Sequence, residues 1–96
     1  MSKRFDTGKL TVTAGVHAAM EENIEFNKFV NDSLMRYFVG DWGDIDEEDW
    51  KQNDESVDDG ERIHAVYKNG ADPDLTIWII TEWDRSATTI LFPQEY

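Results

Sequence analysis

The amino-acid sequence predicts an α+β domain in which a three-stranded antiparallel meander carries about three helices packed on one face. Before Gly60, apolar residues recur at three- and four-residue steps, which is the period of helices. The later residues alternate apolar and polar side chains or run through β-branched ones, as strands do. A chain of 96 residues is long enough for one hydrophobic core and too short for two.

The amino-terminal residues have no clear period and predict a flexible arm over residues 1–8, followed by a single domain over residues 9–96. Residues 9–13 are compatible with a short extra strand at the start of this domain. Thr13 predicts the start of a first helix, because its hydroxyl can accept a backbone N–H. Val16, Ala19 and Met20 then supply the apolar stripe of this helix.

The second predicted helix has a wide apolar face at helical spacing. This face consists of Phe26, Phe29, Val30, Leu34, Tyr37 and Phe38. Gly40 is expected to end the helix, since glycine readily adopts the left-handed conformation found after helices. The segment GDWG, residues 40–43, then predicts a tight loop that is anchored by one aromatic ring.

The third helix is predicted to begin at Asp44, because Asp44 and Glu47 have the spacing of a capping box. Most of its positions are polar or acidic, so the helix should lie on the surface, held to the core by Trp50. Gly60 supplies the expected end of this helix.

Three strands are predicted after the helices. Ile63, Ala65 and Tyr67 alternate with other residues, which indicates a half-buried strand. Residues 75–82 are too apolar for an edge strand and therefore predict the central one. A third strand is expected over residues 87–92, and Pro93 should end regular structure.

Composition excludes several classes of function. The 21 acids and nine bases give a net charge of −12, whereas binding to nucleic acid or to an anionic membrane needs clustered Lys and Arg. The absence of cysteine excludes disulfides, thiolate metal sites and cysteine nucleophiles. The sequence predicts neither a signal peptide nor a membrane span, so the expected location is cytoplasmic, and no cofactor is predicted.

The negative charge is concentrated in residues 41–60, which hold ten acids and one base and carry a net charge of −9. Carboxylates three or four residues apart on a helix repel one another by a few tenths of a kcal/mol per pair. One interpretation is a solvated surface that keeps the protein soluble. Another is recognition by a basic partner, such as the groove of a nucleic-acid-binding protein, with fast and salt-sensitive association.

A third interpretation of this acidic segment is cation binding. Asp44, Asp46, Glu48 and Glu55 stand at positions 1, 3, 5 and 12 of an EF-hand-like register. Asp49 occupies the position where that motif requires a turn-forming glycine. The two histidines are also far apart in sequence, so no metal site is predicted.

If a partner recognises the segment, the contacts are expected from acids and tryptophans of the GDWG loop and the third helix. The predicted partner-binding residues are Asp41, Trp42, Asp44, Asp46, Glu47, Asp49, Trp50, Asp54, Glu55 and Asp58. The two tryptophans would supply most of the affinity and the acids would supply steering and register.

An alternative site lies at the hairpin between the last two strands. A small enzyme or ligand-binding module could be centred there on Glu82, Asp84 and Arg85. His64 and Ser86 form the one base and nucleophile pair that the strands bring into the same region. The alternative site therefore comprises Arg62, His64, Glu82, Asp84, Arg85 and Ser86. Asp84 and Ser86 are also ordinary turn residues, and Glu82 can simply pair with Arg62 or Arg85.

Much of the sequence from Gly40 onward resembles a family of small proteins of bacteria, phages and plasmids. The resemblance rests on GDWGDIDEEDWKQND (residues 40–54), on Arg62 and Tyr67, and on IWIITEWDRSATTILFPQEY (residues 77–96). Members are often labelled plasmid-related protein or type I restriction endonuclease subunit M. A methyltransferase needs a parallel sheet with a cofactor pocket, which 96 residues of this pattern do not provide.

The resemblance implies a mobile-element context and no catalytic residues. In that context, small acidic proteins commonly act against host restriction or CRISPR machinery. The sequence and the resemblance together predict a non-enzymatic protein that binds a basic surface of a nucleic-acid-handling host protein, as a DNA mimic would. A homodimer is also compatible with the sequence.

Overall fold

A computed structural model describes residues 3–96 and shows an α+β fold, as predicted. Three helices and a four-stranded sheet make up the domain. In chain order the elements are β1 (Lys9–Val12), α1 (Ala14–Glu22), α2 (Ile24–Phe38), α3 (Glu47–Asp59), β2 (Ile63–Tyr67), β3 (Ile77–Thr81) and β4 (Ala87–Leu91). Short 3₁₀ turns, Pro73–Leu75 and Pro93–Glu95, precede β3 and follow β4.

The sheet has the order β1-β4-β3-β2 and is mixed. β2, β3 and β4 form the predicted antiparallel meander, with Ala65 opposite Ile79 and Ile79 opposite Ile90. The short extra strand exists, but it pairs with β4 in a parallel direction, with Leu10 opposite Thr88. The sheet therefore has four strands rather than three, and β3 shares the central position with β4.

The core lies between one face of the sheet and the helices. Alternation along β2 buries Ile63, Ala65 and Tyr67, as predicted from their spacing. Val16 of α1 and Phe26 of α2 belong to the same buried cluster. α3 packs Trp50 and Val57 against the same cluster, and it also hydrogen-bonds through Asn53 to the outer edge of β2.

A chain of buried hydroxyls connects α2 to the sheet. Thr88 Oγ1 donates to the Thr7 carbonyl oxygen at 2.7 Å, so its own oxygen accepts the proton of Thr81 Oγ1 at 2.6 Å. Thr81 Oγ1 in turn accepts from the Tyr37 hydroxyl at 2.6 Å. Burial raises the pKa of Tyr37 above its usual value, which keeps the donating proton in place.

The segment before β1 differs from the predicted flexible arm. Phe5 is buried, and its ring packs edge-on against Tyr37 with a centroid distance of 5.4 Å. Thr7 is fully buried, and the Arg4 amide donates to the Phe38 carbonyl oxygen at 2.8 Å. Residues 3–8 therefore pack against the domain, and the first two residues of the predicted arm lie outside the described residues.

The helix ends follow the predicted caps, with one exception. Thr13 caps α1 by accepting the Val16 amide, and Gly60 ends α3 at a φ of 71°. The N-cap of α3 is Asp46 rather than Asp44, and it accepts the Asp49 amide at 2.8 Å.

Candidate functional site

The GDWG loop closes the outer edge of β2. The Val66 amide donates to the Trp42 carbonyl oxygen at 3.3 Å, and the Asp44 amide donates to the Val66 carbonyl oxygen at 2.7 Å. Gly43 is needed at this bridge, because a Cβ there would lie 2.1 Å from the Val66 carbonyl oxygen. The Asp44 carboxylate accepts the Lys68 amide at 2.9 Å, which extends the contact and explains why Asp44 does not cap α3.

Asn53 of α3 satisfies the next position of the same edge. Its side-chain Nδ2 donates to the His64 carbonyl oxygen at 2.8 Å, and its Oδ1 accepts the His64 amide at 3.2 Å. Asn53 is almost fully buried. The outward backbone groups of β2 are thus occupied by the chain itself, so this edge is not open to another strand.

Trp42 is the buried centre of the loop. Its side chain has no exposed surface, and its ring packs against Tyr37 and Phe5. The indole Nε1 donates to Asp54 Oδ1 at 3.0 Å, and the same oxygen accepts Arg4 Nη1 at 2.9 Å. The predicted role of Trp42 as an anchor for a partner therefore does not fit the structure, because the ring is inside the core.

Asp41 is also occupied by the fold. Arg36 donates to its carboxylate through Nε at 2.9 Å and through Nη2 at 3.1 Å. These bonds are the main cause that holds the pKa of Asp41 below its usual value, and the same pair raises the pKa of Arg36. The Asp41 carbonyl oxygen accepts the Tyr67 hydroxyl at 2.6 Å, so the loop is fixed to β2 a second time.

Five acids remain on the outward side of α3, and we call them the acidic face. They are Glu47, Glu48, Glu55, Asp58 and Asp59, all of them exposed. The helical period places them on one side of the helix around Lys51. Within residues 3–96, none of the five lies within 4 Å of a cationic nitrogen.

The other predicted partner-binding residues of α3 have mixed positions. Asp46 is the exposed cap, and Asp49 is exposed beside a cleft next to β2. Trp50 is half-buried and packs against the core, as the sequence predicts for the residue that holds this helix. In the described part of the chain, no group of three or more His, Asp or Glu side chains could hold a metal ion.

The cleft beside Asp49 lies between the surfaces of α3 and β2 and has a volume of about 250 Å³. Its lining includes Arg62 and His64. His64 Nε2 is buried and has no hydrogen-bond partner among residues 3–96, and the His64 and Trp78 rings meet edge-on with a centroid distance of 4.5 Å. Burial is the main cause that lowers the pKa of His64; Arg62 lowers it further, and Asp49 raises it. His64 is therefore neutral at pH 7.

The residues of the alternative hairpin site do not form one reactive group. Arg85 adopts a φ of 60°, and its guanidinium donates to the carbonyl oxygens of Ser56 and Glu61, each at 2.6 Å. Arg85 thereby satisfies carbonyls at the carboxyl end of α3. Asp84 accepts the Ser86 amide at 3.0 Å, which is an ordinary turn contact. The Ser86 hydroxyl is the main cause that lowers the pKa of Asp84, and the Ser86 amide lowers it further.

The two remaining charged residues of that site are tied to the other face of the sheet. Arg62 Nε approaches Glu82 Oε1 at 3.9 Å, and Arg62 Nη1 donates to the Tyr96 hydroxyl at 2.7 Å. His64 lies opposite Ile80 on β3, and no hydrogen bond joins its ring to Ser86 among the residues that the structure describes. The predicted base and nucleophile pair is therefore not assembled.

Sequence reasoning missed the residues that complete these networks. Asn53, Arg4 and Arg36 are not among the predicted site residues, although Asn53 lies in the segment of residues 40–54 that carries the resemblance. A polar residue next to the acidic positions, on the inward side of a predicted surface helix, is the signal that could have found Asn53. The two arginines carry no comparable signal, because their partners are set by the fold.

Comparisons with protein-family models, with curated proteins and with solved structures found no match to this chain. No helix within residues 3–96 is both long enough and apolar enough to span a bilayer.

Proposed function

We propose that this chain is a non-enzymatic protein whose acidic face docks on a basic surface of a nucleic-acid-handling protein, in the place of nucleic acid. The observation that supports this most is that some acids of residues 41–60 hydrogen-bond within the fold whereas others do not. Asp41, Asp44, Asp46 and Asp54 each serve the fold through a hydrogen bond. Within residues 3–96 the exposed carboxylates of the acidic face form no ion pair, so they can meet a partner.

The cost of keeping these carboxylates together supports the proposal. Glu55 lies three and four residues from Asp58 and Asp59, so each pair is repulsive by a few tenths of a kcal/mol. Lys51 offsets part of this cost at its spacing of four residues from Glu47 and Glu55. A basic surface would turn the remaining repulsion into attraction and speed association.

The buried position of Trp42 changes how such an interface would work. Neither Trp42 nor the half-buried Trp50 is available as a large aromatic anchor. Binding would then depend mainly on charge, so its affinity should fall steeply as salt is added. The resemblance to the phage and plasmid family favours a partner in a host defence system of the restriction or CRISPR type.

The enzyme or ligand-binding alternative at Glu82, Asp84 and Arg85 has weaker support. Arg85 is occupied by backbone carbonyl oxygens and Asp84 by its own turn. A site for small-molecule chemistry needs charged groups that point toward a common space. Arg85 and Asp84 bond to backbone groups instead, and Glu82 faces Arg62.

The proposal is tested by capture from a nuclease-treated bacterial lysate at low and high salt. One variant changes the acidic face to Gln or Asn at all five positions. The control variant changes five exposed acids elsewhere, which are Glu21, Glu22, Glu25, Asp32 and Asp74. Both variants move the net charge from −12 to −7, so only the position of the lost charge differs.

The proposal predicts that wild type and the control variant retain the same basic protein at low salt and release it at high salt. The face variant should fail to retain it, while its circular dichroism spectrum stays that of the wild type. Equal capture by both variants would show that the acidic face is not what the partner recognises.

A further inference from the structure

The two edges of the sheet differ in how their backbone groups are satisfied. The edge of β2 is closed by the GDWG loop and by Asn53. On β1, the Lys9 amide donates to the Ser86 carbonyl oxygen and the Thr13 amide to the Ile90 carbonyl oxygen, each at 3.1 Å. Both bonds point toward β4.

The backbone groups of Leu10 and Val12 point the other way. Backbone N–H and C=O groups alternate from one side of a strand to the other, so those of Leu10 and Val12 face away from β4. In the described part of the chain, no hydrogen bond reaches them from outside the sheet. β1 is therefore an open edge, and such an edge is a template for pairing with another strand.

The side chains of this edge are also suited to a partner. Leu10 and Val12 share one face of the strand and are 43% and 37% exposed, although both are large and apolar. The charge close to this edge is small, since residues 3–22 contain three bases and three acids and Glu95 lies beside the end of β1, where it accepts the Thr13 hydroxyl at 2.7 Å. The acidic α3 lies at the opposite edge of the sheet, beyond β2.

We propose that β1 pairs with β1 of a second copy of this chain in an antiparallel direction, with Thr11 on the two-fold axis. The two sheets would join into one of eight strands. A second copy fits because the free edge carries little net charge, so two highly negative chains meet where their repulsion is small. The acidic faces would then lie at the far ends of the dimer.

The register follows from two geometric requirements. Side chains of residues that lie opposite each other in an antiparallel pair point to the same face of the sheet. Among the residues of β1 in the described chain, Leu10 and Val12 are the two whose backbone N–H and C=O groups are not bonded to β4. Placing Leu10 opposite Val12 of the second copy lets them exchange both hydrogen bonds, and the two-fold axis repeats the exchange. Thr11 then stands opposite Thr11 as a non-hydrogen-bonded pair, where Cα atoms are about 4.5 Å apart.

The contact is short, since β1 has four residues. Stable complexes bury at least about 1,200 Å² of total accessible surface. A pair of four-residue strands is expected to bury less, so the dimer should be reversible. Its formation is independent of the proposed function, because none of the acidic face takes part in it.

A cysteine cross-link tests this register, because the chain contains no cysteine of its own. Thr11→Cys chains should form a disulfide-linked dimer under mild oxidation, since about 4.5 Å between Cα atoms lies within disulfide range. Val12→Cys is the matched control. Two residues of offset would place its Cα atoms about 8 to 9 Å apart, which is too far for a disulfide.

Selective cross-linking of Thr11→Cys, at concentrations where the wild type sediments as a mixture of monomer and dimer, would support the proposal. Failure of Thr11→Cys to cross-link, or equal cross-linking of both variants, would overturn it.

Hydrogen exchange of the unmodified protein gives a test that does not depend on any variant. In the dimer, the amides of Leu10 and Val12 gain protection as concentration rises, whereas the Thr13 amide is protected at every concentration. Fast exchange of the Leu10 and Val12 amides, together with a monomeric mass at millimolar concentration, would refute the dimer.

Discussion

Removal of the Asn53 side chain should open the edge of β2. In Asn53→Ala the His64 amide and carbonyl both lose their partner, at bonds of 3.2 and 2.8 Å. Each such bond contributes about 1 kcal/mol, and a partly buried group left unpaired costs about 1 to 3 kcal/mol. Because water can reach part of this edge, we expect a total loss of about 2 to 4 kcal/mol in the free energy of unfolding.

Such a loss is a large share of the roughly 5 to 15 kcal/mol that typically stabilises a small domain. Urea unfolding followed by circular dichroism at pH 7 measures it as a lower midpoint at an unchanged slope. Gln52→Ala is the control, since Gln52 is the exposed neighbour on the same helix. Its effect should stay within about 0.5 kcal/mol.

Hydrogen exchange locates the same effect in the structure. The His64 amide should exchange faster in Asn53→Ala than in the wild type, because its acceptor is Asn53 Oδ1. A loss below about 0.5 kcal/mol, with unchanged exchange at His64, would refute the role of Asn53 in closing the edge.

Two further predictions concern buried polar groups. Thr81→Val should reduce the free energy of unfolding by about 1 kcal/mol more than Tyr37→Phe, because it leaves the buried Tyr37 hydroxyl without an acceptor. A larger loss in Tyr37→Phe would contradict the direction of the hydroxyl chain. The lowered pKa of His64 means that the unfolded state binds more protons, so stability should fall as pH drops below about 6.5. Between pH 7.5 and about 5, the free energy of unfolding measured in urea should change less with pH in His64→Gln than in His17→Gln, which replaces the exposed histidine. An equal change with pH in both variants would contradict this.

The helices and most strands could be predicted because their signals are local. The spacing of apolar residues placed α2, and the hydroxyl of Thr13 and the glycine at position 60 placed two helix ends. The parallel partner of β1 could not be predicted in this way. A four-residue strand pattern indicates an extended segment but does not say which strand lies beside it.

The sequence shows where the acids lie along the chain, but not which of them the fold uses. Sequence shows that residues 41–60 are acidic, but not that Asp41 and Asp54 are held by arginines elsewhere in the chain. It also does not show whether a tryptophan between two glycines points inward or outward, and Trp42 points inward. Asp44 and Asp46 both suit a helix cap, and the amide of Lys68 decides between them.

The residues that carry the family resemblance serve the fold in most cases. Trp42, Asn53 and Tyr67 hold the edge of β2, and Arg85 holds the carboxyl end of α3. Glu95 accepts the Phe92 amide at 2.8 Å after β4. The quoted pattern therefore describes a scaffold, and the function that we propose depends on the outward residues of α3.

Competition with DNA shows whether the acidic face takes the place of nucleic acid on the partner. Fluorescence anisotropy of a labelled duplex bound to the captured partner is measured while this chain is added at low salt. If the acidic face takes the place of nucleic acid, the wild type and the control variant should displace the duplex, and the face variant should not. Displacement of the duplex by the face variant at the same concentrations as the wild type would contradict this role of the acidic face.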